Sequence, residues 1–240
     1  MHSNPNHSHP VGDLGAICRF DTCVIANAIE KFQVRPRNEG LVAGAIACRF
    51  PNLPPVAGYA VTGRIQTYMP PMAGRCYFDH AEWWQYLMTI PAPRFVVLQD
   101  MDDRPGFGAL FGEIHARICK ALGCVAVLTD GSVRDFGGVG SLGFQMFSAG
   151  LSVSHAYAHI VDFGGPVEIG GLAIQPGDIL HGDVNGVLSV PPQVLSRLPA
   201  MAEHVQKQES ELFEFIGRGR LSVEALAKKI EEFSERNICR

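Results

Sequence analysis

No stretch of this chain stays apolar for anything near the ~18–20 residues that a membrane-spanning helix requires, so no membrane partner is expected. Basic residues form no block and do not alternate with aromatics, so a nucleic-acid partner is not expected either. Cysteine is present but unorganised: the seven cysteines stand at 18, 23, 48, 76, 119, 124 and 239, an odd number with no C-x-x-C. That argues against a disulfide framework or a zinc ribbon and for a reducing, cytoplasmic setting. The opening MHSNPNHSHP lacks the apolar centre of a signal peptide. His2, His7 and His9 are suited to adventitious metal binding, but residues 1–12 read as a disordered tail. No glycine-rich loop runs into Gly-Lys-Ser/Thr, which removes a P-loop.

What remains is a globular composition: 240 residues, 47% hydrophobic, 18% charged, with a net charge of −4. Such a chain has material for one sizeable core. It would bind a small anion only through a local cationic pocket. Asp21-Thr22 before CVIANAIEKF predicts a capped helix. LVAGAIACRF (41–50) predicts a strand that PNLPP ends, and VAGYAVTGRIQTY (56–68) the next, with Gly63 as a bulge position. HAEWWQYLMTI (80–90) predicts a helix in which Trp83 and Trp84 pack rather than bind. FVVLQD (95–100), ALFGEIHARICKALG (109–123) and CVAVLTD (124–130) predict strand, helix and strand, hence a parallel pair, with Gly123 stopping the helix. FGGVGSLGF reads as a loop, and QMFSAGLS as a short strand. Residues 158–192 read as β-hairpins divided by Gly-Gly, Pro-Gly-Asp and Asn-Gly. In that stretch His181 reads as a structural histidine, and Asp178 and Asp183 as turn formers. Helices are expected over 193–219 and 222–237.

The chemistry concentrates in GCVAVLTDGSVRD (123–135). An apolar strand drives toward Asp130-Gly131, which can turn the chain, and then delivers an adjacent cation and anion, Arg134 and Asp135. Opposite charges at the carboxyl end of a buried strand are one way α/β folds bind a charged small molecule. A surface turn with an incidental ion pair is the plain alternative. Gly106, Gly108 and Gly112 ahead of a helix, with Asp130 after the next strand, also come close to a dinucleotide fingerprint. The third glycine is one place late, and the Met101–Pro105 connection is long for that turn. The start of the helix offers amides near 108–113 to an anion. Asp135 suits a hard divalent cation completed by water, and Glu113 reads either as its partner through water or as a dipole-favoured first-turn acid.

GALFGE, the helix after it, GCVAVLTDGSVRD and the later PGDILHGDVNGVLSVP together resemble the RraA-like family over roughly residues 20–195. That family includes class II 4-hydroxy-4-methyl-2-oxoglutarate/4-carboxy-4-hydroxy-2-oxoadipate aldolases, which also decarboxylate oxaloacetate. The resemblance implies an α/β fold of the swivelling β/β/α type (αββα sandwich). It would be a single domain over 13–198 with helical N- and C-terminal extensions, the latter at 199–240. It implies homotrimers or homohexamers with sites between subunits. It implies Mg2+ or Mn2+ bound directly by Asp135 and through water by Glu113, and a 2-keto acid substrate held by Arg134 and the amides of Leu110, Phe111, Gly112 and Glu113. Arg134, Asp135 and Glu113 are then the catalytic candidates. RraA itself, the ribonuclease E regulator, commonly lacks the acid after the arginine, so Asp135 favours an enzyme over a regulator. The reaction class implied is release of pyruvate through its enolate.

Two departures bear on the substrate. DMDDRPGFG is longer and more charged than the compact turn of relatives, and the C-terminal helices extend the usual ending. Relatives often draw a further acid from a neighbouring subunit near there, for which Glu203, Glu209 and Glu211 are candidates.

Overall fold

The computed structural model describes residues 14–71, 81–219 and 221–237. The expected tail at 1–12 lies outside the described residues. Two short helices come first, α1 (Leu14–Ile17) and α2 (Thr22–Glu30). The Asp21 carboxylate accepts the Val24 amide at 2.8 Å and so caps α2, while Val24, Ile25, Ala28 and Ile29 give it one buried face.

The core is a mixed sheet ordered β1-β5-β4-β3-β2-β9-β10, with β6 also paired to β2. Its centre is parallel: β2 (Val56–Gln66), β3 (Arg94–Asp100), β4 (Cys124–Val133) and β5 (Gln145–Leu151). The edges run antiparallel, with β1 (Ala47–Cys48) on β5, and β6 (His159–Phe163) and β9 (Ile179–Asp183) on β2. β10 (Gly186–Val190) follows β9.

Both faces of the parallel centre are buried, which is why its strands read as unbroken apolar runs. Along β3, Phe95 and Val97 join one apolar cluster while Val96 and Leu98 join the other. The first cluster lies under the hairpin of β7 (Val167–Ile169) and β8 (Leu172–Ile174), whose Gly170-Gly171 turn has positive φ at both residues. The second takes in helices, among them α3 (Ala81–Thr89) and α4 (Glu113–Ala121). The result is the expected β/β/α layering in one mixed α/β domain.

The C-terminal pair, α6 (Leu198–Ile216) and α7 (Val223–Asn237), begins after a 3-10 turn. α6 buries Leu198, Ala202, Val205 and Leu212 and packs on α2, and α7 packs on α6. No helix among the described residues is long and apolar enough to cross a membrane.

Four expectations change. Of 41–50, only Ala47–Cys48 is strand. Gly40 and Gly44 take positive φ, and the Val42 and Ala43 amides bond to the carbonyls of Val187 and Gly170, so the segment crosses β10 and the β7–β8 turn instead of extending. The helix predicted from 109 starts at Glu113, because Phe111 first makes a parallel bridge to Val133. β4 does not turn at Asp130-Gly131 but continues to Val133, with a register irregularity between Thr129 and Ser132. The glycine-rich stretch after Asp135 contains a helix, α5 (Phe136–Ser141).

His181 anchors α2 to the sheet. It is fully buried, its Nδ1 is 3.1 Å from the Thr22 hydroxyl, and the Thr22 amide donates to Asp183 at 2.8 Å. Burial lowers the His181 pKa, against smaller opposing effects led by Asp183. The folded state therefore binds fewer protons than the unfolded chain just below the ordinary histidine value of about 6.5. The stability contribution of the neutral ring is present above that value and is lost as pH falls from it through the lowered folded pKa. Urea unfolding of wild type and His181→Gln should accordingly show a stability gap at pH 7 that narrows at pH 5. A gap independent of pH would contradict this assignment.

Candidate active site

The parallel strands deliver their carboxyl ends to one side of the molecule, and the sequence-predicted residues meet there. Phe111, fully buried and stacked on Phe144 at 5.5 Å, fixes the chain before α4. Burying such a ring contributes about 1.5–3 kcal/mol. The Phe111 carbonyl accepts the Arg134 amide at 3.0 Å, which sets Leu110–Glu113 beside Val133–Asp135. Leu110 is also buried. Gly112 is the N-cap of α4 and makes no side-chain bond. A Cβ there would stand 2.5 Å from Asp135 Oδ2 and 2.8 Å from Arg134 Cγ, so the close approach requires glycine.

Asp135 occupies the left-handed region at φ 60°, ψ 46°, and caps α5 through its backbone. Its carboxylate is shared: Oδ1 accepts Arg134 Nε at 3.2 Å and Oδ2 accepts the Glu113 amide at 3.1 Å. One of the amides expected to face an anion is thus already bonded to Asp135. The Arg134 and Asp135 side chains are 30% and 39% exposed. The Arg134 terminal nitrogens make no hydrogen bond to the described residues. Glu113 Oε1 accepts two N–H groups of Arg117 at 2.5 and 2.8 Å, and a side chain at Gly138 would overlap the Glu113 carboxylate. Both acids therefore sit at the junction of α4 and α5.

A cavity of about 360 Å³ opens here, lined by Val133, Arg134, Asp135, Phe136, Leu151, Ser152 and Val153. Each Asp135 oxygen has one protein donor and keeps further acceptor capacity. One direct carboxylate with a second acid nearby suits a hard, largely hydrated divalent cation. No three His, Cys, Asp or Glu residues converge as a complete cage among the described residues. The donor set fits a cation that keeps most of its water and does not fit zinc or another ion that needs several protein ligands.

The loop after β3 is organised by acids that sequence reasoning left unassigned. Asp102 Oδ2 accepts the Thr67 amide, the Thr67 hydroxyl and the Tyr68 amide at 2.7–2.9 Å. Asp100 accepts the Asp102 and Gly106 amides, and burial, with Asp102 and Asp130 nearby, pushes its pKa up to about 6. Asp130 accepts the Asp100 amide at 2.7 Å from mid-strand, which leaves it badly placed for a ribose. The readable signal was the density of aspartates around two strand ends. A second cavity of about 410 Å³ lies beside this loop, lined by Gln66, Tyr68, Met69, Met101, Asp102, Asp103 and Arg104.

The remaining candidates lie outside the lining of the Arg134–Asp135 cavity. Asp178 accepts the Gln175 amide and Asp183 the Asn185 amide, as turn formers do. Trp83 packs against Tyr86 and Phe163, and Trp84 against the same core. Glu203 pairs with Arg19, and Glu209 accepts from Asn27, which sets both against α1 and α2. Glu211 lies on α6 facing Lys229 and Glu232 of α7 across a small cleft.

Comparison with known proteins places this geometry in context. The RraA-like family profile (Aldolase/RraA) matches residues 22–189. A putative 4-hydroxy-4-methyl-2-oxoglutarate aldolase of Halalkalibacterium halodurans is 31% identical over 84 residues, covering 35% of this chain and 40% of that protein. The chain thus aligns with less than half of that relative's length. The structure of an uncharacterized protein from Pseudomonas syringae pv. tomato str. DC3000 superimposes with a TM-score of 0.72 at 22% identity, covering 97% of this chain and 100% of that one. Streptomyces coelicolor RraAS2, described as an unusual member of the RNase ES inhibitor RraA protein family, gives 0.63 at 20% identity, over 88% and 98%. At these identities the superpositions establish the fold.

Gly112→Ala should lose about 1–3 kcal/mol in urea unfolding, the usual cost of forcing extra volume into a packed site. Unchanged stability would show that the Arg134–Asp135 pair yields to a Cβ without strain.

Proposed function

This chain belongs to the RraA-like family, and on that premise we propose that it is a divalent-metal-dependent carbon–carbon lyase releasing pyruvate from a 4-hydroxy-2-keto acid, from oxaloacetate, or from both. The observation that carries the reading is the Asp135 carboxylate set between Arg134 and the Glu113 amide, beside a cavity at the carboxyl end of β4. The similarity to a protein named as a putative aldolase supports it.

In retro-aldol cleavage the 4-hydroxyl loses a proton and the C3–C4 bond breaks. The electron pair stays on C3 as pyruvate enolate, and C4 becomes a carbonyl. Protonation at C3 completes pyruvate. Loss of CO2 from oxaloacetate leaves the same enolate. The Arg134 terminal nitrogens would bind the C1 carboxylate of the keto acid as a charge-assisted pair. The bond from Arg134 Nε to Asp135 holds the guanidinium in place while charge develops. Asp135 would hold Mg2+ or Mn2+ directly, with Glu113 steadying a water ligand. When bound, the cation supplies Lewis-acid stabilisation of negative charge at the 2-keto oxygen. Amides of Leu110–Glu113 not engaged by Asp135 would complete the pyruvyl site.

The working unit in this reading is a homotrimer or homohexamer. The exposed Tyr68, Met69, Met101 and Phe107 at the same end of the sheet support it, as apolar surface that a neighbouring subunit would cover.

Pyruvate release should be measured on 4-hydroxy-4-methyl-2-oxoglutarate and oxaloacetate with Mg2+ and after chelation. Asp135→Asn, which keeps a residue tolerant of the left-handed region, and Arg134→Ala should each lower kcat by about 10²–10³. Chelation should abolish turnover, and Mg2+ should restore it. Unchanged rates in both variants would remove these residues from the site. The absence of turnover on every keto acid, together with a stable protein partner, would favour the non-catalytic regulator.

A further inference from the structure

Glu113 stands at the first position of α4, where the helix dipole alone would favour an acid. Its surroundings fix it further, because both ends of the residue are tied. The amide donates to Asp135 Oδ2 at 3.1 Å, and the carboxylate accepts from Arg117. Arg117 gives two N–H groups, from Nε at 2.8 Å and from Nη2 at 2.5 Å, and both go to Oε1. Oε2 is left on the other side, against α5. A Cβ at Gly138 would overlap that oxygen and the Cδ behind it. Gly138 follows Asp135 by three residues, the spacing at which positions on a helix are neighbours. The carboxylate is thus held between a guanidinium and a bare stretch of backbone. Oε1 is taken, and Oε2 is turned to the side of α5 that begins at Asp135.

An exposed ion pair at i, i+4 contributes little to the stability of a helix. The Arg117 and Glu113 side chains are 58% and 36% exposed, so holding α4 together does not account for this arrangement. Fixing one carboxylate oxygen does. We infer that Arg117 is a positioning residue: it clamps Glu113 Oε1 so that Oε2 is presented to a water ligand of the cation that Asp135 would hold, in space that Gly138 leaves open. The inference rests on the metal-dependent lyase reading and adds to it a residue that touches neither substrate nor cation. By charge alone Arg117 repels a nearby cation, and its removal would tighten cation binding. Solvent screens that repulsion at an exposed guanidinium. Groups that orient a metal's surroundings from behind its ligands are worth about 10–100-fold in affinity. Orientation therefore outweighs charge, and the sign of the change separates the two.

The probe is Mn2+, added alone to the full chain and followed by loss of the free-ion electron paramagnetic resonance signal. Arg117→Ala should raise the Mn2+ Kd about 10-fold. Gly138→Ala should raise it by a similar factor while leaving every charge in place, because the new methyl group displaces Oε2. Both variants should fold, since Arg117 is exposed and alanine is a better helix former than glycine. Glu113→Gln should also weaken Mn2+ binding. Adding Arg117→Ala to it should bring no further loss, because the group being positioned is gone. An Arg117→Ala protein that binds Mn2+ as tightly as wild type, or more tightly, overturns the inference. So does an Arg117→Ala loss that is the same with and without the Glu113 carboxylate. In either case a wild type that binds Mn2+ and releases pyruvate leaves the lyase reading intact. A wild type that neither binds Mn2+ nor releases pyruvate from 4-hydroxy-4-methyl-2-oxoglutarate or oxaloacetate overturns both.

Discussion

The Asp135 carboxylate is the joint on which this end of the molecule depends. It ties the end of β4, the first amide of α4 and the guanidinium of Arg134 into one unit. Its own backbone is left-handed, a conformation that costs a non-glycine residue of order 1–2 kcal/mol and that aspartate bears better than most. Such a conformation persists where the surroundings over-determine it. Here the Arg134 amide is held by Phe111 on one side, and the Asp135 carbonyl accepts the Val139 amide to begin α5 on the other. The strained residue turns the chain from strand to helix in a single step. That turn is what brings the cation and the anion together at the cavity mouth.

A consequence is that glycine supplies space here as much as flexibility. Gly112 stands where a Cβ would strike the pair, and Gly138 where one would strike Glu113. Gly140 faces Phe50 at a distance a Cβ would close to 3.0 Å. α5 therefore contains three glycines and still forms a helix, because Val139 is buried and its neighbours leave no room for larger residues. Helix propensity alone opposes it, which is why the sequence reads as a loop.

The same contrast explains what was legible beforehand. β3 and β4 announced themselves because a sheet buried on both faces needs continuous apolar runs, and α2 because Asp21 stands ahead of a helical apolar stripe. The juxtaposition of Arg134 and Asp135 with Gly112 and Glu113 followed from the strand–helix–strand reading together with the family resemblance. Where β4 ends was hidden, since Asp-Gly is a strong turn signal and only the packing of Asp100 against Gly131 shows why the strand runs on. The segment 41–50 misled in the opposite sense. Its apolar residues mark a crossing over β10 and the β7–β8 turn, a tertiary fact with no periodicity to reveal it. The wiring of the 101–108 loop was equally invisible, because it depends on which backbone amides lie near Asp100 and Asp102 once folded.

That wiring settles an apparent contradiction in the electrostatics. Asp100, Asp102, Asp130 and Asp135 all lie toward the carboxyl end of the sheet, which is a poor start for binding an anion. Three of the four face inward to protein donors. Asp102 takes two amides and a hydroxyl, Asp100 two amides, and Asp130 one. Burial also raises the pKa of Asp100 and Asp130, so the fold disfavours their charge. Asp135 is the exception, half-exposed and shared with Arg134. The acids around the 101–108 loop thus spend their capacity holding the loop against the strand ends. The cavity lining is left with one carboxylate, Asp135, and one guanidinium, Arg134.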